Sequence, residues 1–263
     1  DDEALGQLVD RATASALRRE PDGFAAQCDA TLAWLDAQPS QRAVLTLADA
    51  DYPAALLHIA DPPLLLYRLG LPQPVPAAAL AMVGSRNPTP QGLQNARRFA
   101  GAFADAGVTV VSGLALGIDG AAHEGALDGA APGAVATVAV VGTGLDRVYP
   151  KRHLALAHRI AERGMLLSEY PLGTPPLAAN FPKRNRLISG LAQGTLVVEA
   201  ALESGSLITA RMAAEQGREV FAIPGSIHSA QARGCHLLLR QGAKLVESAI
   251  DVLEDLRLAP PAD

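Results

Sequence analysis

From residue 78 onward, short uniformly apolar runs alternate with longer segments whose apolar residues fall on one helical face. AALAMV (78–83) reads as a buried strand that ends at Gly84-Ser85. Thr89 then suits an N-cap with Pro90 in the first turn, Leu93, Ala96, Ala100 and Phe103 line one face, and Gly107 stops the helix. The same rhythm predicts strands at 108–111, 134–141, 165–168, 195–200, 219–223 and 243–246. Helices are predicted near 118–128, 152–163, 186–192, 206–216 and 234–241. Strands that are apolar on both faces and separated by helices imply a parallel sheet covered on both sides. The expected class is therefore α/β, an extended Rossmann-like sheet over 77–256. Ligands in such sheets bind beyond the C-terminal strand ends.

The first part of the chain has a different pattern. Residues 4–37 predict two short helices, with Phe24, Cys28, Leu32 and Leu35 on one face. AVLTL (43–47) suggests a strand, and GLPQPVP (70–76) reads as a connector. The chain thus divides into a partial helical module (1–40), an approach segment and connector (41–76), the Rossmann-like domain (77–256) and the start of a linker (257–263). It begins at Asp1 without a Met, which reads as a trimmed piece of something longer.

Composition narrows the classes. No apolar run is long enough to span a bilayer and no signal-peptide pattern opens the chain. Cys28 and Cys235 lie far apart, as expected of a reducing cytoplasm, and neither they nor the six histidines have metal-ligand spacing. The net charge of −5 by itself opposes a nucleic-acid binder. Its distribution changes that reading: residues 1–70 hold five Lys and Arg against eleven Asp and Glu, while the remainder is nearly balanced at 17 against 16. Any polyanion site must then be a local pocket, because the whole-protein field will not attract DNA.

Several strand-end loops could form that pocket. Gly84-Ser85-Arg86-Asn87 joins a strand to a helix, where exposed N–H groups, a hydroxyl and a guanidinium suit a phosphate, or simply make a turn. Gly113 and Gly117 flank a loop that allows close backbone approach, followed by Asp119, which also suits an N-cap, and His123, which reads as a core histidine. Phe181-Pro182-Lys183-Arg184-Asn185-Arg186 places three cations at a predicted helix start. There they oppose the helix dipole unless an anion is bound, and Phe181 offers a stacking face; the bland alternative is a solvated charge patch. Ser204-Gly205-Ser206 makes a second hydroxyl-rich turn, serving either an anion or the helix cap. Gly142-Thr143-Gly144 begins a dinucleotide-type run, but position 147 is Arg, and no GxxxxGK[ST] or GxSxG is present. No cofactor, metal or catalytic residue is expected.

Taken in order, VGSR (83–86), SGLALGIDGAAHEGAL (112–127), VVGTGLDRVYP (140–150), LLSEYPLG (166–173), FPKRNRLISGL (181–191) and VVEAALESGSLITARMAAEQGREVFAIPG (197–225) closely resemble the bacterial DNA-processing protein A (DprA/Smf) family. The approach segment DADYPAALLHIADPPLLLYRLG (49–70) is similar too. The resemblance implies single-stranded DNA binding in a positive pocket, with Arg86, Lys183, Arg184 and Arg186 at DNA phosphates. It also implies dimerisation and the loading of RecA onto incoming DNA in natural transformation and recombination, without enzymatic activity. Gly234-Cys235-His236 departs from the Gly-x-Asn usual before the last helix. A phosphoribohydrolase-like enzyme acting on nucleotides, with Glu199 and Ser204–Ser206 as candidate groups, is the alternative. A homodimer would use the C-terminal stripe Ile250, Val252, Leu253 and Leu256, unless that stripe packs on the sheet. Arg86 and Lys183 are expected to line one pocket.

Overall fold

The computed structural model describes residues 6–258, which divide into two units, the first ending at Ala37 and the second beginning at Gln38. In the first, Asp10 caps helix α1 (Arg11–Arg18) by accepting from the N–H groups of Ala12 and Thr13, and α2 (Phe24–Ala37) follows. The predicted face of α2 leaves Phe24 and Leu32 exposed.

The second unit is built on a nine-stranded sheet: β1 (Arg42–Thr46), β2 (Leu65–Gly70), β3 (Ala79–Val83), β4 (Thr109–Ser112), β5 (Thr137–Val140), β6 (Met165–Ser168), β7 (Gly194–Val197), β8 (Glu219–Ala222) and β9 (Lys244–Leu245). The spatial order is β1-β2-β6-β5-β4-β3-β7-β8-β9. From β6 to β9 every pair is parallel, as the continuous apolar runs require. The segment expected to be an approach and connector contributes two strands: β2 pairs antiparallel with β6 and β1 antiparallel with β2. Leu65–Gly70 had no clear strand pattern because Leu66 and Tyr67 are both buried while Leu65 is exposed, so there is no alternation to read.

The connecting helices are α3 (Pro90–Asp105), α4 (Ile118–Gly129), α5 (Leu154–Arg163), α6 (Asn180–Gly190), α7 (Ser206–Glu215), α8 (Arg233–Arg240) and α9 (Ala249–Asp255). Val111, Val138, Val140, Leu167, Leu187 and Ile188 belong to the core beneath them. Each such side chain contributes about 1.5–3 kcal/mol on burial.

Two expectations about helices are corrected. α6 begins at Asn180, not at 186, because Pro182 sits in the first turn, where its missing N–H costs nothing. The cations therefore occupy its second turn and do not face its N-terminus. In α9, Val252 and Leu253 are buried within the chain and Leu256, just past its end, is half-buried against Gly194, so of the proposed dimer stripe only Ile250 is exposed.

Candidate nucleic-acid interface

The strand order reverses between β3 and β7: β4, β5 and β6 lie on one side of β3, and β7, β8 and β9 on the other. A cleft beyond the C-terminal strand ends is expected at such a switch point. A cavity of ≈ 710 Å³ opens there. Its walls are the turn after β3 (Gly84, Ser85, Arg86, Asn87), the turn before α7 (Ser204, Gly205, Ser206) and the inner face of α6 (Phe181, Arg184, Asn185). All these sequence-predicted residues meet in one place. Gly113, Gly117, Lys183 and Arg186 are not part of the wall.

Close packing fixes the β3 turn. A side chain at Gly84 would come within 2.6 Å of Ile118 Cγ1, so the turn lies directly on the start of α4. Gly117 (φ 82°) takes a left-handed conformation that glycine favours, and a Cβ there would strike the Ser85 carbonyl. Two N–H groups of the turn are already bonded: Ser85 N–H donates to the Glu199 carbonyl at 2.7 Å, and Asn87 N–H to Ser85 Oγ at 3.0 Å. The anion-binding capacity of this turn rests mainly on Arg86. Its side chain is exposed and lies 5.8 Å over the centroid of the Phe181 ring. Tyr149 adds a second ring 5.5 Å from Phe181, tilted by 32°.

The second turn is likewise partly self-satisfied. Ser204 Oγ lies 2.7 Å from Ser206 Oγ and accepts Ser206 N–H at 3.3 Å. Gly205 has open space where a Cβ would stand.

Along α6 the cations separate. Lys183 is exposed. Arg184 is 4% exposed, and its Nη1 donates to the Gly113 carbonyl at 2.8 Å and to the Val140 carbonyl. Burial pulls this guanidinium down to about 10, opposed by the Asp119 carboxylate. Asp119 is buried in the cavity wall, and its Oδ2 accepts from the N–H groups of Gly113 and Ala115. Desolvation raises its pKa, while Arg184 and the two N–H groups pull against it. Arg186 forms a bidentate pair with Glu169 at 2.7 and 2.6 Å and reaches Asp61. Of the three cations in the run, only Lys183 is free for a ligand to approach.

Two other candidate residues have structural roles. Glu199 accepts from Thr89 N–H at 2.8 Å and Thr89 Oγ1 at 2.6 Å, so it anchors the cap of α3 and stands outside the cavity wall. His123 is fully buried, with Nδ1 2.7 Å from Thr137 Oγ1. The threonine hydroxyl donates to the Val110 carbonyl, so the histidine must carry its proton on Nδ1. Burial drives its pKa down to about 3.

The wall also contains Tyr149, Glu203, Thr209 and Gln231, which the sequence reading did not select. Tyr149 follows β5 and is succeeded by exposed Lys151 and Arg152, so the strand-end rule applies to it as well. Thr209 and Gln231 carry no such signal. A second cavity of ≈ 650 Å³ shares Glu203, Ser204 and Ile208 with the first and is lined by Arg211 and Arg218.

Residues 43–257 match the family model of DNA recombination-mediator protein A. The chain is 48% identical over 231 residues to protein Smf of Escherichia coli, covering 87% of this chain and 60% of that protein. It is 44% identical over 210 residues to DNA processing protein DprA of Streptococcus pneumoniae, covering 80% and 73%. The chain spans less than two thirds of the Smf relatives from E. coli and Synechocystis, 60% and 55%. The X-ray structure of S. pneumoniae DprA superposes with a TM-score of 0.77 at 43% identity, covering 85% of this chain and 77% of that one. Helicobacter pylori DprA, whose structure addresses its single-stranded DNA binding mode, gives 0.73 at 31% identity, covering 81% and 95%. On the family match and these identities, the chain belongs to the DNA recombination-mediator protein A (DprA/Smf) family.

Proposed function

We propose that this chain binds single-stranded DNA in the cavity between the 84–87 and 204–206 turns and that it does so without catalysing a reaction. The observation that carries the reading is the cavity's rim: Arg86 and Phe181 face it together at the topological switch point, and the free cation Lys183 lies just outside. Phosphates would meet Arg86 and Lys183, and a base would stack on Phe181. The H. pylori relative supports the same ligand. In the cell the chain would act in the cytoplasm, protecting incoming DNA and loading RecA onto it in natural transformation and recombination. Among the described residues no helix is long and apolar enough to cross a membrane. A homodimer fits this role. The open sheet edge at β9, with Leu245 and Ile250 exposed, is a surface for it.

The enzymatic alternative has less support, because both Glu199 carboxylate oxygens are engaged by Thr89. The test is a salt titration of oligo-dT binding against a duplex of equal length. Single-strand preference is expected, with a log–log slope of roughly 0.7 per phosphate contact. Equal affinity for the duplex would reject the reading, as would release of free base from nucleoside monophosphates. Light scattering checks the dimer, and RecA assembly on DNA with and without the chain checks the loading.

A further inference from the structure

We infer that Arg184 is a positioning residue for this cavity: from inside α6 it holds the 113–119 loop and the 84–87 turn in register with Phe181, and it gives no phosphate contact of its own. The inference rests on the reading of the cavity as a single-stranded DNA site.

A continuous polar chain joins these parts. Arg184 Nη1 bridges the carbonyls of Gly113, just past β4, and Val140, the last residue of β5. Gly113 N–H and Ala115 N–H in turn donate to Asp119 Oδ2 at 3.1 and 3.3 Å. One residue before Asp119, Ile118 N–H donates to the Ser85 carbonyl at 3.1 Å. The turn that carries Arg86 is thus tied to α6 through the loop. The fit leaves no slack: a Cβ on Gly113 would stand 2.7 Å from Arg184 Nη2 and 2.8 Å from Asp119 Oδ2.

The same bonds fix the rotation of α6. With Arg184 turned inward, Lys183, 100° around the helix, turns outward, and Phe181, one turn back, comes beside Arg86 and Tyr149. Arg184 Nη1 is committed to two carbonyls beside a buried carboxylate and has no bond to spare for a phosphate, and the residue is 4% exposed.

Lysine discriminates the two roles. It keeps a point charge for a phosphate, but its ammonium on a flexible stem lacks the rigid guanidinium plane that aims Nη1 at both carbonyls and sets Nη2 against Gly113. The experiment measures oligo-dT affinity over a salt series, and amide hydrogen exchange, on the parent and Arg184→Lys. The expected result is about tenfold weaker binding, with the amides of Gly113, Ala115 and Ile118 exchanging about tenfold faster. Arg184→Lys binding within about twofold of the parent, with those amides still protected, would overturn the inference. If Arg184→Lys does not fold, the charge-balanced double change Arg184→Gln with Asp119→Asn decides: weaker binding at an unchanged salt slope supports positioning. A slope lower by about 0.7 assigns a phosphate contact and rejects it. A parent that binds no oligo-dT removes the reading of the cavity, and this inference with it. A binding parent with an unaffected Arg184→Lys removes this inference alone.

Discussion

The polar groups buried under the strand ends and the cations on the cavity rim draw on the same residue types for opposite purposes. Arg184 and Lys183 are adjacent in sequence, yet one is sealed against two carbonyls and the other stands in solvent. Asp119, His123 and Thr137 share the buried condition, each hydrogen-bonded to protein groups, although His123 Nε2 is buried without a partner among the described residues. Arg86 shares the exposed one, held only over the Phe181 ring. The difference follows from helix geometry, which spreads consecutive side chains by 100°. A run of cations counted along the sequence is not a count of charges presented to a ligand. Changes in the buried set should therefore appear in stability and its pH dependence, and changes on the rim in DNA affinity.

The largest expected effect is at His123. Its pKa is about 3 in the folded chain and 6.5 unfolded. Above pH 6.5 the ring is neutral in both states and its contribution is complete. As pH falls below 6.5 the unfolded chain takes up a proton that the folded chain refuses, so stability declines until about pH 3, where the folded ring protonates too. The loss over that window is up to about 4–5 kcal/mol, from 1.36 kcal/mol per pH unit. Denaturant unfolding at a series of pH values should show this slope in the parent and a shallower one in His123→Gln. Parallel slopes would mean that the ring is not held neutral.

Next is Arg186→Ala. Both members of the pair with Glu169 are 16% exposed, so truncation leaves a largely buried carboxylate without its partner. A cost of about 2–3 kcal/mol is expected, below the full buried-pair penalty because solvent still reaches the site. The salt slope for oligo-dT should not change, since this guanidinium is already committed. A lower slope with unchanged stability would move Arg186 to the rim and break the comparison.

The sequence made the parallel βα rhythm legible because strands covered on both faces are uniformly apolar. It also placed the two turns that converge on the cavity, since a strand end is a local feature, and singled out the segment of α6 that faces them. Two things were hidden. β2 could not be seen because its partner β6 lies about 100 residues away and neither burial nor polarity alternates along it. The division of labour within Lys183–Arg186 could not be seen because it depends on where α6 starts. With a helix from 186 the cations would have clustered at its N-terminus; with a helix from 180 they point in separate directions. Gly113 and Gly117 were read as places where the backbone comes close to a phosphate or sugar; within the chain, what stands close is Arg184 and the Ser85 carbonyl.

On the rim, Phe181→Ala tests stacking without touching charge. Base–aromatic stacking contributes about 1–3 kcal/mol per base. Part of the Phe181 ring already packs on Tyr149 and beneath Arg86, which places the expected loss at the lower end, about 1–2 kcal/mol of binding. The salt slope should stay at the parent value, because no phosphate partner is removed. A reduced slope would show that Phe181 acts by holding Arg86, and that the ring itself carries no base.

The smallest effect expected is at Lys183, and it tests the comparison most closely. Its side chain is exposed and outside the cavity wall, so Lys183→Ala should change stability by no more than about 0.5 kcal/mol. As a single point charge near the proposed DNA path it should lower the log–log salt slope by about 0.7 and weaken binding a few-fold at moderate salt, alike for all sequences. The control must be an exposed cation remote from the cavity. Arg211 is unsuitable, because it lines the neighbouring cavity that shares Ser204 and Ile208 with the first. Arg159, exposed on α5 and paired with Asp128, is suitable, and Arg159→Ala should leave the slope unchanged. If Lys183→Ala and Arg159→Ala prove indistinguishable in slope, α6 contributes its ring and no charge to the DNA, and the rim reduces to Arg86 and the exposed Lys151 and Arg152 beside Tyr149.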